Sequence, residues 1–365
     1  MLVVAAVFTF SSRVAIIAAG ALKWFQHSCP LFTLPEHSTG ATVLLAFVAV
    51  PPGTSSLPIT RDTAFESSPM LSEEKEDGGD DDDDFQPVQL LKDISGLAYM
   101  GDGTFIGVHD AKLREPLPRV SMFRLPTSLG GIKYMSMKPN WPEDRSSNDL
   151  ESAARIPGTR QVLLCESGDD ASELDRIYLA EVGRRSIHIK EHIRWSSFAK
   201  AYNVEASAVA LTDSGHLFLW AERNSTTIHW RDLQLSPLAI GARGVSSGSG
   251  TFELSRDQRH LCDRPVVGLD VDSDGAIYAA CSHDIEGEGD FGPYRSGVFR
   301  IGRIQADQVK IDQQPTAMTF QDGFKVEAVA RADEVPDKFV TKAPMTFIAT
   351  DDENYGGTLR PVIMT

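Results

Sequence analysis

The strongest constraint on this chain is a six-residue phrase that recurs five times along its last three-quarters. The copies are residues 93–98 (DISGLA), 149–154 (DLESAA), 203–208 (NVEASA), 266–271 (VVGLDV) and 325–330 (KVEAVA). Successive starts are 56, 54, 63 and 59 residues apart. Self-similarity at a nearly constant period of this size is typical of repeat architectures, so the five copies predict five related units.

Each phrase leads through a turn into an apolar strand with a polar or acidic end, and further strand candidates follow. Four short strands per unit are typical of propeller blades. The sequence therefore predicts an all-β fold, a five-bladed β-propeller. Residues 87–91 are expected to supply the missing fourth strand of the last blade, so that an N-terminal strand closes the ring. A six-bladed ring with an altered unit in 232–262 is the alternative.

Composition changes along the chain predict three segments. Residues 1–70 contain two apolar stretches and form a hydrophobic targeting or anchor leader, and residues 71–85 form an acidic disordered linker. Residues 86–365 form the propeller. A leader of this kind predicts an extracytoplasmic or organellar protein that is secreted, plastid-located or membrane-anchored. A wrongly assigned gene start is the alternative explanation of the apolar stretches.

The charge and the cysteines limit the classes of partner. The formal net charge is −16, partly from the run Asp80 to Asp84, and no basic stripe is present to neutralise phosphates. We therefore expect no nucleic-acid partner. Membrane contact only through the leader, a small anionic substrate or ligand, and a monomer are separate expectations. Cys165 and Cys281 lie in apolar strands and read as core residues, and a Cys262–Cys281 bridge is possible in an oxidising compartment.

The phrase also places acids around the predicted channel. The first strand of each propeller blade lines the axis, so Ser95, Glu151, Glu205, Gly268 and Glu327 are expected at equivalent positions. Three converging carboxylates repel one another unless protons or a cation neutralise them. Ca²⁺, which takes six to eight oxygen ligands, would satisfy them. The alternative is that the acids cap turns or pair with arginines such as Arg119, Arg176, Arg295 and Arg360.

These positions give two sets of candidate residues at the channel. The catalytic candidates are Glu151, Glu205 and Glu327, and the candidate metal ligands are Asp149, Glu151, Glu205, Glu327 and Asp352.

Two loops mix aromatic, acidic, amide and glycine residues, a composition found in binding loops on rigid scaffolds. Tyr294, Arg295, Asn354 and Tyr355 are therefore the candidate substrate-binding residues. His109 and His283 follow strands of units one and four and are interpreted as structural. The segment 270–275 (DVDSDG) lacks the acid that closes a calcium-binding loop and predicts a hairpin turn.

The opening DISGLA, with Pro118-Arg119-Val120 downstream, resembles the phytase-like (esterase-like phytase) propeller family. The segment 350–357 (TDDENYGG) also resembles propeller proteins of photosynthetic organisms. The resemblance covers residues 86–365 and implies a calcium-dependent hydrolase of phosphate or other esters, with Glu151, Glu205 and Glu327 carried over as its acids. The chain departs from the family in having Ser or Ala after these glutamates, where the family usually has Gly.

Two functions compete on this basis. The first is a metal-assisted hydrolase in which a carboxylate such as Glu151 or Glu205 is the general base. The second is a non-catalytic propeller that binds a small ligand or a protein loop on the same face. A lactonase-type enzyme is a third possibility.

Overall fold

The computed structural model describes residues 4–7, 44–47, 86–87 and 92–362, apart from 113–114, 116, 128–130, 143–145, 169–174, 200–202, 245, 284–291, 337–344 and 353–355. The chain divides into two units, residues 1–77 and 78–365. In the first, β1 (Val4–Val7) pairs antiparallel with β2 (Leu44–Phe47). The rest of the predicted leader and the acidic linker lie outside the described residues.

The second unit contains five antiparallel sheets in chain order, which confirms the five-bladed β-propeller. Blade one contains β3 (Gln86–Pro87), β4 (Gly96–Tyr99), β5 (Thr104–Val108), β6 (Val120–Arg124) and β7 (Lys133–Met137). Blade two contains β8 (Leu150–Arg155), β9 (Gln161–Glu166), β10 (Arg176–Val182) and β11 (Ile187–Arg194). Blade three contains β12 (Val204–Thr212), β13 (Gly215–Glu222), β14 (Thr227–Leu235), β15 (Leu238–Ile240) and β16 (Ser247–Thr251).

Blade four contains β17 (Arg264–Val271), β18 (Ala276–His283), β19 (Arg295–Gln305) and β20 (Gln308–Asp322). Blade five contains β21 (Val326–Ala332), β22 (Met345–Thr350) and β23 (Leu359–Val362). Two short helices complete the described elements, a 3₁₀ turn at Trp195–Ser197 and α1 at Arg256–Arg259. The segment 232–262 therefore adds β15, β16 and α1 after the core of blade three and does not form a sixth blade.

The N-terminal strand adds to a different blade from the one we predicted. Gln86 and Pro87 in β3 pair with Tyr134 and Lys133 on the outer edge of blade one, so blade five retains three strands among the described residues. The last blade instead meets the first through side-chain packing and a backbone hydrogen bond from Ile94 N to Thr350 O (3.1 Å). The ring closes there because both blades bury apolar faces against each other.

Five hydrophobic clusters stabilise the ring, one between each pair of neighbouring blades. The inner strands are buried on both faces, which explains why the phrases contain near-continuous small apolar residues. Outer strands such as β11 are instead mostly half-buried or exposed. Small side chains are required at the axis, where Ser152 Oγ and Ser207 Oγ of adjacent inner strands lie 2.7 Å apart.

The cysteines form the bridge and the buried core thiol that the sequence suggested. Cys262 and Cys281 form a disulfide with their Cα atoms 5.3 Å apart, a separation within the usual range for such bridges. The bridge ties the segment after α1 to the second strand of blade four. Cys165 is a buried free thiol, and burial raises its pKa to about 11.

Candidate functional site

The three candidate glutamates occupy one recurring backbone position. In β8 the partners of Leu150 and Ser152 on β9 are Glu166 and Cys165, so Glu151 between them has no partner across the ladder. The same register shift falls at Glu205 in β12 and at Glu327 in β21. An extra residue of this kind is a β-bulge, which redirects a side chain and is frequent beside active sites. The phrase therefore encodes a bulge at the start of the inner strand, with a glutamate in it.

The remaining two blades have no acid at this position. Ser95 and Gly96 both approach Val108, which gives Ser95 the equivalent place in blade one. In blade four Gly268 is the first residue paired after the shift, so Val267 occupies the glutamate position and the predicted equivalence of Gly268 is wrong by one residue.

Gly268 is nevertheless required by packing. A Cβ at this position would lie 2.9 Å from Ala328 Cα of the neighbouring inner strand, so a side chain there would force the two backbones apart.

Arg264 joins two of the glutamates across the channel mouth. Its Nη2 lies 2.5 Å from Glu205 Oε2 and its Nη1 lies 2.6 Å from Glu327 Oε1. The two glutamate side chains are 1% and 5% exposed, so the ion pairs are shielded from water. A guanidinium presents several N–H donors in a fixed plane and can bind two carboxylates at once. Arg264 thus supplies positive charge between these glutamates, where we expected a metal ion.

Other cations surround this bridge. Arg223 Nη1 lies 3.2 Å from Glu205 Oε1, and its side chain is 36% exposed. Lys325 Nζ lies 3.7 Å from Glu327 Oε1 and 3.3 Å from Asp351 Oδ2. Burial raises the pKa of Glu327 to about 8, although Arg264 and Lys325 both act to lower it. We call Glu151, Glu205, Arg264 and Glu327 the channel-mouth cluster.

Glu151 differs from the other two glutamates because it forms no hydrogen bond or ion pair within the described part of the chain. Burial raises its pKa well above the usual range for a glutamate, and the nearby carboxyls of Glu205, Asp149 and Asp110 raise it further. Glu151 therefore favours its protonated form more than an ordinary glutamate does, and it lies beside the ion pair of Glu205 and Arg264. Its neighbour Val267 of blade four lines the same central cavity, together with Ser95.

Asp149 and Asp352, the candidate metal ligands outside the channel-mouth cluster, also have protein partners. Asp149 accepts hydrogen bonds from Lys112 Nζ and from Ser167 Oγ (2.7 Å), and its φ of 60° explains why an Asp begins this phrase. Asp352 accepts from Lys325 N and Thr350 Oγ1, each at 2.7 Å, and caps a turn.

A calcium ion does not fit between Glu205 and Glu327, because the guanidinium of Arg264 contacts both. Across the residues that the structure describes, no three His, Cys, Asp or Glu side chains are grouped as a metal site. We therefore derive no chemistry through a metal here, and calcium binding stays a prediction.

Glu166 pairs with an arginine, as the alternative explanation of the acids predicted. Glu166 Oε1 accepts from Arg176 Nη2 (2.8 Å) and Tyr178 Oη (3.0 Å), and both residues are buried. His109 is also structural: its Nδ1 donates to Asp93 O (2.6 Å), its Nε2 accepts from Ser121 Oγ (2.7 Å), and burial lowers its pKa to about 4.

The candidate substrate-binding residues are only partly described. Tyr294 is buried (5% exposed), so its side chain offers little surface to a ligand. Arg295 ion-pairs with Asp322 (3.7 Å) in the outer strands of blade four. Asn354 and Tyr355 lie outside the described residues. Substrate contact by these four residues stays a prediction.

The axis behind the cluster is nearly closed. The cavity between the inner strands is about 10 Å³, roughly the room for one water, and is lined by residues such as Ser95, Glu151 and Val267. A substrate would therefore have to bind at the mouth and not within the channel.

Comparisons with known proteins give no family assignment. The chain is a five-bladed β-propeller. No family model matches it, and no curated protein matches it either. Solved structures similar to it are diverse propellers, several of them hydrolases. Among the described residues, no helix has the length and apolar character needed to cross a membrane.

Three of these structures illustrate the range. A luciferin-regenerating enzyme is 9% identical with a TM-score of 0.35 and covers 72% of this chain and 85% of its own. An α-L-arabinofuranosidase from Clostridium thermocellum is 10% identical with a TM-score of 0.43, covering 72% and 82%. An exo-1,5-α-L-arabinanase from a bovine ruminal metagenomic library is 13% identical with a TM-score of 0.42, covering 76% and 95%. At these values the similarities carry no argument about activity or about a phytase-like assignment.

Proposed function

We propose that this propeller is a hydrolase of ester bonds, phosphate esters included, and that the channel-mouth cluster is its active site. The observation that carries the proposal is a contrast between two neighbouring glutamates. Glu151 has no hydrogen-bond or ion-pair partner in the described part of the chain, and burial raises its pKa, whereas Glu205 is contacted by Arg264 and Arg223. Neighbouring carboxyls whose environments favour opposite protonation states are the usual arrangement for paired acid and base roles.

The proposed reaction assigns one proton transfer to each glutamate. Glu205 accepts a proton from the attacking water, and Glu151 donates its proton to the leaving alkoxide oxygen, so the products are the free acid and the alcohol. Exchange of protons with solvent restores both groups. Arg264 is a positioning residue that keeps Glu205 and Glu327 in place.

Two exposed cations at the rim of the channel mouth favour an anionic substrate. Lys112 (55% exposed) and Arg223 (36% exposed) each pair with a buried acid while keeping part of the side chain in solvent. Exposed cations at a mouth attract anions and raise their local concentration. Phosphate monoesters and short carboxylate esters are accordingly the first substrates to examine.

Hydrolysis of 4-nitrophenyl phosphate, acetate and butyrate by the full chain tests the proposal, with and without chelator. We expect Glu151→Gln to lower kcat by about 10²–10⁴-fold, the usual contribution of a general acid. Glu181→Gln is the matched control, because Glu181 forms an exposed ion pair with Lys190 on blade two. Hydrolysis of none of these esters, or equal rates in wild type and Glu151→Gln, contradicts the proposal. A loss of activity with chelator that calcium restores would support the predicted calcium dependence.

A non-catalytic binding propeller is the second candidate. It is favoured because Glu205 and Glu327 both already contact Arg264, so fewer of their carboxylate oxygens are available for catalysis. In that case the ester screen shows no turnover. An anion such as phenyl phosphate then raises the thermal midpoint, and Lys112→Met abolishes the effect.

A further inference from the structure

The end of the propeller opposite the channel-mouth cluster carries a separate cavity of about 390 Å³. Its wall includes the residue four places after the bulge position in all five inner strands: Tyr99, Arg155, Val209, Val271 and Arg331. The volume lies within the range of small-molecule sites, about 300–1,000 Å³. We call this space the distal cavity.

Arg155 is the decisive group in the distal cavity. No residue of the described chain forms a hydrogen bond or ion pair with its guanidinium, and its Nε is buried without a hydrogen-bond acceptor. Gly101, with φ of 88°, makes room for it, because a Cβ there would lie 2.8 Å from Arg155 Nη2. A partly buried guanidinium without an acceptor is costly unless an anion joins it.

Arg331 and Asp270 form a second polar group of the cavity. Arg331 donates from Nη1 to Thr346 Oγ1 (2.6 Å) and lies over the Tyr278 ring, yet its Nε is also buried without an acceptor. Asp270 accepts from the backbone N of Arg331 at 2.5 Å. Burial raises the pKa of Asp270 to about 7, so this carboxyl is partly protonated near neutral pH and can donate a hydrogen bond.

The remaining lining limits the charge and shape of the occupant. Val209, Val271 and Leu211 supply an apolar side, and Leu211 is 61% exposed. The other charged residues of the wall are Asp272, Asp333 and Glu334, so the acids outnumber the two arginines. A dianionic phosphate would meet more repulsion here than a monoanion would.

We propose that the distal cavity binds a small organic monocarboxylate, with its carboxylate on Arg155 and its apolar body against Leu211 and Val209. Guanidinium and carboxylate form charge-assisted, often bidentate hydrogen bonds, and an apolar wall beside such a pair is the usual composition of a small-ligand site. This inference is independent of the proposed hydrolase, because it uses no residue of the channel-mouth cluster.

Titration calorimetry of the full chain with benzoate, benzyl alcohol and phenyl phosphate tests it. We expect benzoate to bind at least tenfold more tightly than the neutral alcohol and more tightly than the phosphate. Arg155→Gln should weaken benzoate binding at least tenfold, whereas Arg160→Gln, which removes a guanidinium paired with exposed Asp102, should leave it unchanged.

Leu211→Glu provides a second variant that is safe for folding, since the side chain is already exposed, and it should repel benzoate by adding a negative charge at the rim. Glu151→Gln should bind benzoate as wild type does, which separates this site from the channel mouth. Equal affinity for benzoate and benzyl alcohol, or an unchanged benzoate affinity in both Arg155→Gln and Leu211→Glu, overturns the proposal.

Discussion

Replacing Arg264 with methionine should destabilise the propeller through charge and not through packing. Methionine fills a similar volume but leaves Glu205 and Glu327 without the guanidinium that contacts both, at 2.5 and 2.6 Å. Removing one partner of a buried ion pair typically costs about 3–5 kcal/mol, because the remaining charge stays buried. Glu205 loses its closest cation, while Arg223 and Lys325 retain part of the compensation. Glu327, with a pKa of about 8, is already partly protonated at pH 8 and adds less, so we expect a loss at the lower end of that range.

The pH dependence separates this cause from a packing defect. Without Arg264 the pKa of Glu327 rises further, because a cation that lowers it is removed, so the folded protein holds less uncompensated charge at low pH. The destabilisation relative to wild type should therefore be large at pH 8 and clearly smaller at pH 5. Urea denaturation at both values measures it.

Two further variants complete the experiment. Adding Glu205→Gln and Glu327→Gln to Arg264→Met should recover much of the lost stability, because no buried charge then remains unpaired. Arg160→Met, which breaks an exposed pair with Asp102, should cost no more than about 1 kcal/mol. A loss below about 1 kcal/mol for Arg264→Met at pH 8, or an equal loss at both pH values, would refute the reasoning.

Two other predictions concern stability. The folded chain holds a proton on Asp270 up to about pH 7, whereas the unfolded chain releases it near pH 4, so this residue makes the free energy of unfolding fall as pH rises through that window. Asp270→Asn should reduce the fall between pH 4.5 and 7.5 by about 2–4 kcal/mol in urea denaturation, and an unchanged slope would contradict the assignment. The Cys262–Cys281 bridge spans 19 residues, so reduction should lower stability by about 3 kcal/mol. Equal denaturation midpoints with and without reductant would show that the bridge contributes nothing.

The fold could be predicted well because a propeller repeats its local pattern. The phrase marks the inner strand of every blade, and its small residues reflect crowding at the axis, as at Ser152 and Ser207. The pairing of the N-terminal strand could not be predicted, because β3 is two residues long and its partner depends on which sheet edge lies nearby.

The site was predicted in part. The glutamates were found from their shared place in the phrase, but Arg264 was not, because it lies just before the fourth copy, where an Arg-Pro pair reads as a turn. Its partners are 59 and 63 residues away in sequence, and that proximity exists only after blades three, four and five have packed together. The burial of Tyr294 could not be predicted, because the loop composition around it is typical of exposed binding loops; its substrate contact stays a prediction.

The arrangement of the inner strands has a consequence for evolution of the chain. Glu151 and Arg155 are four residues apart on β8, and Glu327 and Arg331 are four apart on β21, a separation of about 13 Å along a strand. Since the axis between the two ends is filled, the backbone of these strands is the shortest physical link between them. Mutations within a single six-residue segment can therefore alter the chemistry of either end of the ring separately while the blade that carries both stays intact.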